Sequence, residues 1–264
     1  MHVVKPGSKV SLRDIDPADT GSYKSSADVE QATQSYLEEL NKLQFLLYAE
    51  SKRALLIVLQ GMDTSGKDGT IRHVMSGASP LGVQVKAFKA PHEEELAHDF
   101  LWRVHQAVPR RGYIGIFNRS HYEDVLVVRV HDLVPKKVWK TRYDQINAFE
   151  KSLTENNVVI LKFFLHISKK EQKDRLEERL QDPSRYWKFS MNDVEERRFW
   201  GDYREAYEDA LSRCSTAWAP WHIVPADKKW YRNLVVARTI VKTLRDQKME
   251  YPPPAIDLTQ VKIE

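Results

Sequence analysis

Hydrophobic positions along the chain alternate between helical stripes and short apolar runs. From Ala27 to Glu50, apolar residues recur at Tyr36, Leu37, Leu40, Leu43, Leu46 and Leu47, which predicts an amphipathic helix. The run within Arg53 to Leu59 is continuous, the mark of a strand buried on both faces. A glycine-rich turn follows, then a helix beginning near Lys67. Val83 to Phe88 reads as a second strand, His92 to Gln106 as one helix, and Tyr113 to Phe117 as a third strand. Glu123 to Val130 and Pro135 to Glu155 predict helices, with Pro135 at a permitted first-turn position. Val158 to Ile167 is the strongest strand. Ser168 is placed to cap a helix over Lys169 to Leu180, which Asp182 and Pro183 stop. Asn192 to Ser212 reads as helix, His222 to Val224 as a last strand, and Lys229 to Lys248 as a closing helix.

Strands alternating with helices predict a parallel α/β sheet in a single domain over residues 27–250. An irregular arm, 1–26, precedes it, and a proline-bearing tail, 251–264, follows. Composition narrows the class. The chain has 264 residues, 41 Lys plus Arg and 37 Asp plus Glu, a formal charge of +4. Acids and bases interleave instead of forming a basic stripe, so no nucleic-acid partner is expected. A small cationic surplus suits a phosphorylated small molecule or an inorganic polyanion. The apolar runs fall far short of the ~20 residues of a membrane span. Met1 to Pro6 lacks the apolar core of a signal peptide. The single cysteine, Cys214, cannot form an internal disulfide, and a cytoplasmic location is expected.

Three constellations carry candidate chemistry. Gly61 to Lys67 fits G-x-x-x-x-G-K between a buried strand and a helix, the setting in which backbone N–H groups and a lysine cradle phosphates. The position after the lysine, commonly Ser or Thr, is Asp68. Asp63 lies inside the loop, where a carboxylate makes sense with a divalent ion between it and phosphates; the other reading is a side-chain turn onto nearby amides. Second, Phe117 to Asp124 follows the third strand and should face the same loop. Arg119 can fork across phosphoryl oxygens, and Glu123 and Asp124 could complete a metal site with Asp63 or simply favour a helix start. Third, Arg175 and Arg179 share a helical face, and Arg185, Lys188, Asp193, Arg197 and Arg198 follow the break. This stretch reads either as a cationic lid or as a solvated hairpin. His121 reads as a packing residue before a phosphorylated nucleophile, and Trp218, Trp221, Trp230 and Tyr231 read as core.

Taken together, Gly61 to Gly69, Phe117 to Asp124, the lid from Arg175 to Trp200, Ala219 to Trp221 and Pro225 to Arg232 resemble the polyphosphate kinase 2 family over about residues 30–250. The resemblance implies a P-loop kinase fold similar to thymidylate kinase, with a helical lid. It implies magnesium-dependent phosphoryl exchange between inorganic polyphosphate and a nucleotide, with Mn2+ as an alternative ion. Lys67, with Gly61, Thr64, Ser65, Gly66, Asp68 and Gly69, would hold phosphates, and Asp63 would help carry the metal. Arg119 would contact the transferring phosphoryl group, and Arg175, Arg179, Lys188 and Asp193 would act from the lid. Many members carry Asp where this chain has Asn118, which makes Asp124 the expected replacement ligand. The Glu123–Asp124 pair is similar to the class III subgroup, whose members accept both AMP and ADP.

The expected activity is therefore a polyphosphate:AMP/ADP phosphotransferase acting by direct in-line transfer. Adenine nucleotides are the expected acceptors and guanine nucleotides are left open. A homo-oligomer is expected, with the Ala27 to Glu50 helix as an available interface. The alternatives are an ATP-dependent nucleoside monophosphate kinase and a non-catalytic nucleotide switch, although the chain lacks the Asn-Lys-x-Asp guanine-reading loop.

Overall fold

The computed structural model describes residues 1–263. Its sheet has six strands, β1 (His2–Val3), β2 (Ala54–Gln60), β3 (Val83–Ala87), β4 (Ile114–Asn118), β5 (Val158–His166) and β6 (Trp221–Pro225), in the order β1-β6-β5-β2-β4-β3. Strands β2 to β6 are parallel, and β1 pairs antiparallel with β6. Every residue of β2 is buried, as its unbroken apolar run requires of a central strand. The helices are α1 (Glu30–Glu50), α2 (Lys67–Val74), α3 (Glu93–Leu96), α4 (Trp102–His105), α5 (Val127–Val130), α6 (Lys136–Glu155), α7 (Lys169–Gln181), α8 (Met191–Glu196), α9 (Trp200–Arg213) and α10 (Lys229–Asp246). This is the expected parallel α/β architecture of a P-loop kinase. Among the described residues, no helix is long and apolar enough to cross a membrane.

Four stretches differ from the pattern reading: Asn192 to Ser212 is two helices, α8 and α9, joined by a 3-10 turn over Arg197–Phe199, and three others differ for local reasons. His92 to Gln106 is two short helices, not one. His92 and Glu95 close a capping box on α3, and Asp99 accepts from the Leu101 amide at 2.9 Å, starting a new turn instead of continuing the old. The helix expected from Glu123 is a 3-10 turn over His121–Val125, begun by the Ser120 hydroxyl and followed by α5. In the N-terminal arm, His2 and Val3 extend the sheet and Val4 is buried, its amide donating to Trp221 O at 2.9 Å. A two-residue strand leaves no periodicity to detect. Of the aromatic residues assigned to the core, Trp221 and Tyr231 are buried, whereas Trp218 is exposed.

Topology places the site. The chain leaves β2 for the sheet edge at β3, returns through β4, and then crosses β2 to reach β5. The connections after neighbouring strands β2 and β4 therefore diverge and open a crevice at their carboxyl ends. Leu59 pairs with Asn118 in the ladder, and Arg119 N donates to Leu59 O at 3.1 Å, so the two loops start side by side.

Beneath the second loop lies a fully buried polar cluster. Lys162, in the middle of β5, donates to Glu150 Oε2 at 2.5 Å, Tyr122 OH at 2.9 Å and Cys214 O at 2.6 Å, which satisfies its three donors. Glu150 Oε1 accepts from Tyr122 OH at 2.8 Å and sits 3.1 Å from His121 Nε2. His121 is thus a packing and anchoring residue. Burial works to raise the Glu150 carboxyl, but the Lys162 charge and His121 outweigh it and hold it below the usual range. The cluster fastens the 121–125 turn to α6 and β5. Lys162→Met should lower unfolding free energy by about 3–5 kcal/mol, because Glu150 is left buried without its counter-charge. The Lys162→Met/Glu150→Gln double variant should recover part of that loss. Urea unfolding checks both, and a loss below about 1 kcal/mol in the single variant would mean that the pair is not a mainstay of the fold.

Candidate active site

The glycine-bounded loop runs from Gly61 to Gly66 between β2 and α2. Its curl depends on two glycines with positive φ, Gly61 at 152° and Gly66 at 98°. A Cβ on Gly61 would lie 2.7 Å from Leu165 O, and one on Gly66 would lie 1.9 Å from an Arg232 guanidinium nitrogen, so neither position accepts a side chain. Thr64 Oγ1 and Ser65 Oγ are buried hydroxyls without a hydrogen-bond partner; Thr64 lines the larger of two cavities here, whereas Ser65 is fully buried. Lys67 donates to Gly61 O at 2.8 Å and Met62 O at 3.3 Å. Burial, then the Arg119 charge, pulls its ammonium down to about 8.

Arg119 sits at the start of the second loop in a left-handed conformation, φ 61°. Its guanidinium donates to Asp63 Oδ1 at 2.7 Å and lies 3.9 Å from Glu123 Oε2. This arginine and Asp63 stand between two cavities. The larger, about 560 Å³, is lined by Asp63, Thr64, Gly66, Lys67, Asp68, Gly69, Asn118, Arg119, Arg179, Lys188 and Asp193, with Ala87 to Ala90 as the remaining wall. The smaller, about 40 Å³, is lined by Gly61, Met62, Asp63, Arg119 and Glu123 and is closed by Gln172, Glu196, Trp200, Tyr203 and Tyr207, among others. Burial raises the Glu123 carboxyl, opposed by Arg119 and Lys67.

Arg179, Lys188 and Asp193, from α7 and the segment after it, line one side of the larger cavity. Arg179 donates to Asp193 Oδ2 at 2.8 Å and to Lys188 O at 3.0 Å, joining α7 to α8 across the Pro183–Lys188 turn. Lys188 Nζ is 4.0 Å from Asp68 Oδ2, and Asn118 Nδ2 donates to the other Asp68 oxygen at 2.6 Å. Burial and then the like charge of Asp63 raise Asp193, so this acid of α8 lies within the field of the loop.

Three expected site residues line neither cavity: Ser65, enclosed within the loop, Asp124 and Arg175. Asp124 lines neither cavity: Arg142 donates to its Oδ1 at 3.0 Å, and Arg103 lies 3.8 Å from its Oδ2. In the tight 3-10 turn, consecutive side chains diverge, so Glu123 faces Arg119 while Asp124 faces α4 and α6. Among the described residues, no three His, Cys, Asp or Glu side chains are grouped to hold a metal. Asp63 and Glu123 remain as carboxylates flanking Arg119. Mg2+ commonly uses one or two carboxylates with substrate phosphates and water, and that pair fits such a donor set. Arg175 is also reassigned. It is buried behind the loop, donating to Thr64 O at 2.9 Å and Ala226 O at 2.6 Å and pairing with Glu171 at 2.8 Å. The pattern reading missed Gln172, which donates to Asp63 O at 2.9 Å, and Tyr203 and Tyr207, which wall the smaller cavity. All three lie on helices whose spacing reports only burial.

Lys67 generates a pH prediction. Its folded value of about 8 lies below the ordinary lysine value of 10.5, so the free site loses this charge as pH rises through about 8. Phosphate binding should weaken in that window, and kcat/KM for a phosphate donor should fall above it. Folding stability should change with the opposite sign, rising as the buried ammonium is neutralised, because the unfolded chain there binds more protons. A kcat/KM profile flat from pH 7 to pH 10 would overturn this prediction.

Comparisons with known proteins identify the family. A polyphosphate kinase 2 family model matches residues 23–252. The chain is 51% identical, over 262 residues, to an AMP/ADP-polyphosphate phosphotransferase of Meiothermus ruber, covering 99% of this chain and 98% of that protein. It is 45% identical to an ADP-polyphosphate phosphotransferase of Rhodopseudomonas palustris, covering 94% and 90%. The crystal structure of polyphosphate kinase 2 from Arthrobacter aurescens TC1 superposes with a TM-score of 0.92 at 42% identity, over 98% of this chain and 96% of that one. The chain belongs to the polyphosphate kinase 2 family.

Proposed function

We propose that this enzyme transfers the terminal phosphoryl group of inorganic polyphosphate to AMP and to ADP. The observation that carries the reading is the cation lining of the larger cavity. Lys67 and Arg119 face it from the loops, and Arg179 and Lys188 from the lid. The Meiothermus relative's name supports both acceptors.

In the transfer, an acceptor phosphate oxygen attacks the terminal phosphorus as the bridging P–O bond breaks, and the leaving group is polyphosphate shortened by one unit. Lys67 and Arg119 hold the transferring group, and Arg179 and Lys188 hold the chain behind it. The lid excludes water, which would otherwise compete as acceptor. The acceptor oxygen is already ionised near neutral pH, so no strong base is required, and catalysis rests on positioning and charge neutralisation. Mg2+ held by Asp63 and Glu123 would neutralise phosphate charge at the centre. Glu123 would matter most for AMP, which lacks a β-phosphate to help hold the ion.

Incubation with AMP, long-chain polyphosphate and Mg2+, without ATP, should yield ADP and then ATP by chromatography. Turnover only when ATP is the donor would overturn the reading in favour of an ordinary monophosphate kinase. Glu123→Asn should lower kcat/KM for AMP about tenfold more than for ADP, the size expected from losing one partly buried charge. Equal losses for the two acceptors would sink the assigned role of Glu123.

A further inference from the structure

Behind the phosphate loop lies a charge that the proposed transfer does not use directly. Arg232, on α10, is only 3% exposed. Its hydrogen bonds go to neutral oxygens, Ser65 O at 3.3 Å and Asn233 Oδ1 at 3.2 and 2.9 Å. Arg175, the other arginine behind the loop, has Glu171 as an ion partner. Among the described residues, no carboxylate forms an ion pair with Arg232. Burial, followed by the like charge of Arg175, pulls Arg232 down to about 10, and it still carries its proton at neutral pH.

A buried cation without an anion is costly, and a neutral side chain of similar shape could fill the same volume. Packing therefore does not account for the charge. Its place does. A Cβ on Gly66 would lie 1.9 Å from Arg232 Nη1, and one on Gly69 would lie 3.6 Å from Nη2. Both glycines line the larger cavity on their opposite side. The guanidinium does not line that cavity itself but packs against two glycines of its wall, at the N-terminal end of α2, where the helix dipole is also positive. Like charges gathered on one spot repel until an anion arrives, and low-dielectric surroundings lengthen their reach.

We propose that Arg232 is a positioning residue whose buried charge is balanced by the phosphate chain seated on the loop, with ligand-free stability given up in exchange for phosphate affinity. The proposal rests on the polyphosphate reading only for the identity of that chain. A nucleotide triphosphate would offer the loop the same chemistry.

Two variants separate charge from packing. Arg232→Gln keeps a donor for Ser65 O and loses the charge; Arg232→Lys keeps the charge. Thermal midpoints are measured without ligand, with long-chain polyphosphate and with ATP, each in Mg2+, alongside KM and kcat. Without ligand, Arg232→Gln should melt at or above the parent. Its ligand-induced increase should shrink, and KM for polyphosphate should rise about tenfold with little change in kcat. Arg232→Lys should keep most of the increase. A lower ligand-free midpoint with undiminished ligand-induced increases would make Arg232 a packing residue and overturn the proposal. If Arg232→Gln does not fold, Arg232→Met takes its place, and failure of both to fold also overturns it, since removing an unbalanced charge should favour the free fold. Should the parent respond to ATP but not to polyphosphate, the donor reading falls, and the ATP increments still decide the role of Arg232.

Discussion

The ion pair between Arg119 and Asp63, 2.7 Å long, joins the loop after β4 to the loop after β2. Everything at the crevice is arranged around it. Neighbouring parallel strands bring the loops together, and the ladder bond from Arg119 N to Leu59 O sets their register. Arg119 then turns toward Asp63 through a left-handed conformation that costs on the order of 1–3 kcal/mol in a residue with a Cβ. Such a turn persists only when its surroundings hold it. On the buried side, Tyr122 and His121 are fastened to Glu150, and Glu150 to Lys162. On the cavity side Asp63 holds the guanidinium, and Gln172 holds the Asp63 backbone. The strain and the site thus share one support.

Two departures from the expected motifs, one at each loop, meet in space. Asp68 stands where Ser or Thr is common after the loop lysine, and Asn118 stands where the family resemblance implies an acid. The Asn118 amide donates to Asp68 at 2.6 Å. An aspartate at 118 would instead set two carboxylates against each other, a repulsion that raises the pKa of one of them. The other Asp68 oxygen lies 4.0 Å from Lys188, so Asp68 also links the Pro183–Lys188 turn to the start of α2.

Sequence pattern revealed the sheet and the two loops because those features are local. An unbroken apolar run, a glycine-bounded loop and a Ser168 cap each carry their cause within a few residues, and the cap is present, with Ser168 Oγ accepting from Glu171 N at 2.9 Å. Side-chain direction in an irregular turn has no such signature. Glu123 and Asp124 are adjacent acids, yet burial against Arg119 takes one and an ion pair with Arg142, on another helix, takes the other. Arg175 shares the spacing of Arg179 but meets the back of the loop instead of the cavity, because α7 passes close to the Ala226 and Asp227 carbonyls there. Glu123 meets Arg119 only four residues away, but the partners Arg142 of Asp124 and Thr64 of Arg175 lie 18 and 111 residues away along the chain. Periodicity does not report contacts at that range.

A site where two polyanions meet faces a difficulty before either one arrives. Donor and acceptor phosphates repel, so their meeting place must be cationic, yet cations held close together repel as well. Here four of the cations that line the cavity have provisional partners: Arg119 has Asp63, Arg179 has Asp193, Lys188 approaches Asp68, and Lys67 donates to two loop carbonyls. On the proposed reading, phosphate binding is an exchange of partners and not the filling of bare charges. Each cation leaves a carboxylate or carbonyl for a phosphoryl oxygen, and a freed carboxylate such as Asp63 becomes available to a divalent ion. The exchange limits the net gain per contact, because a bond is given up for each one made. It also keeps the donors close to their working positions, which is what lowers the reorganisation needed during transfer.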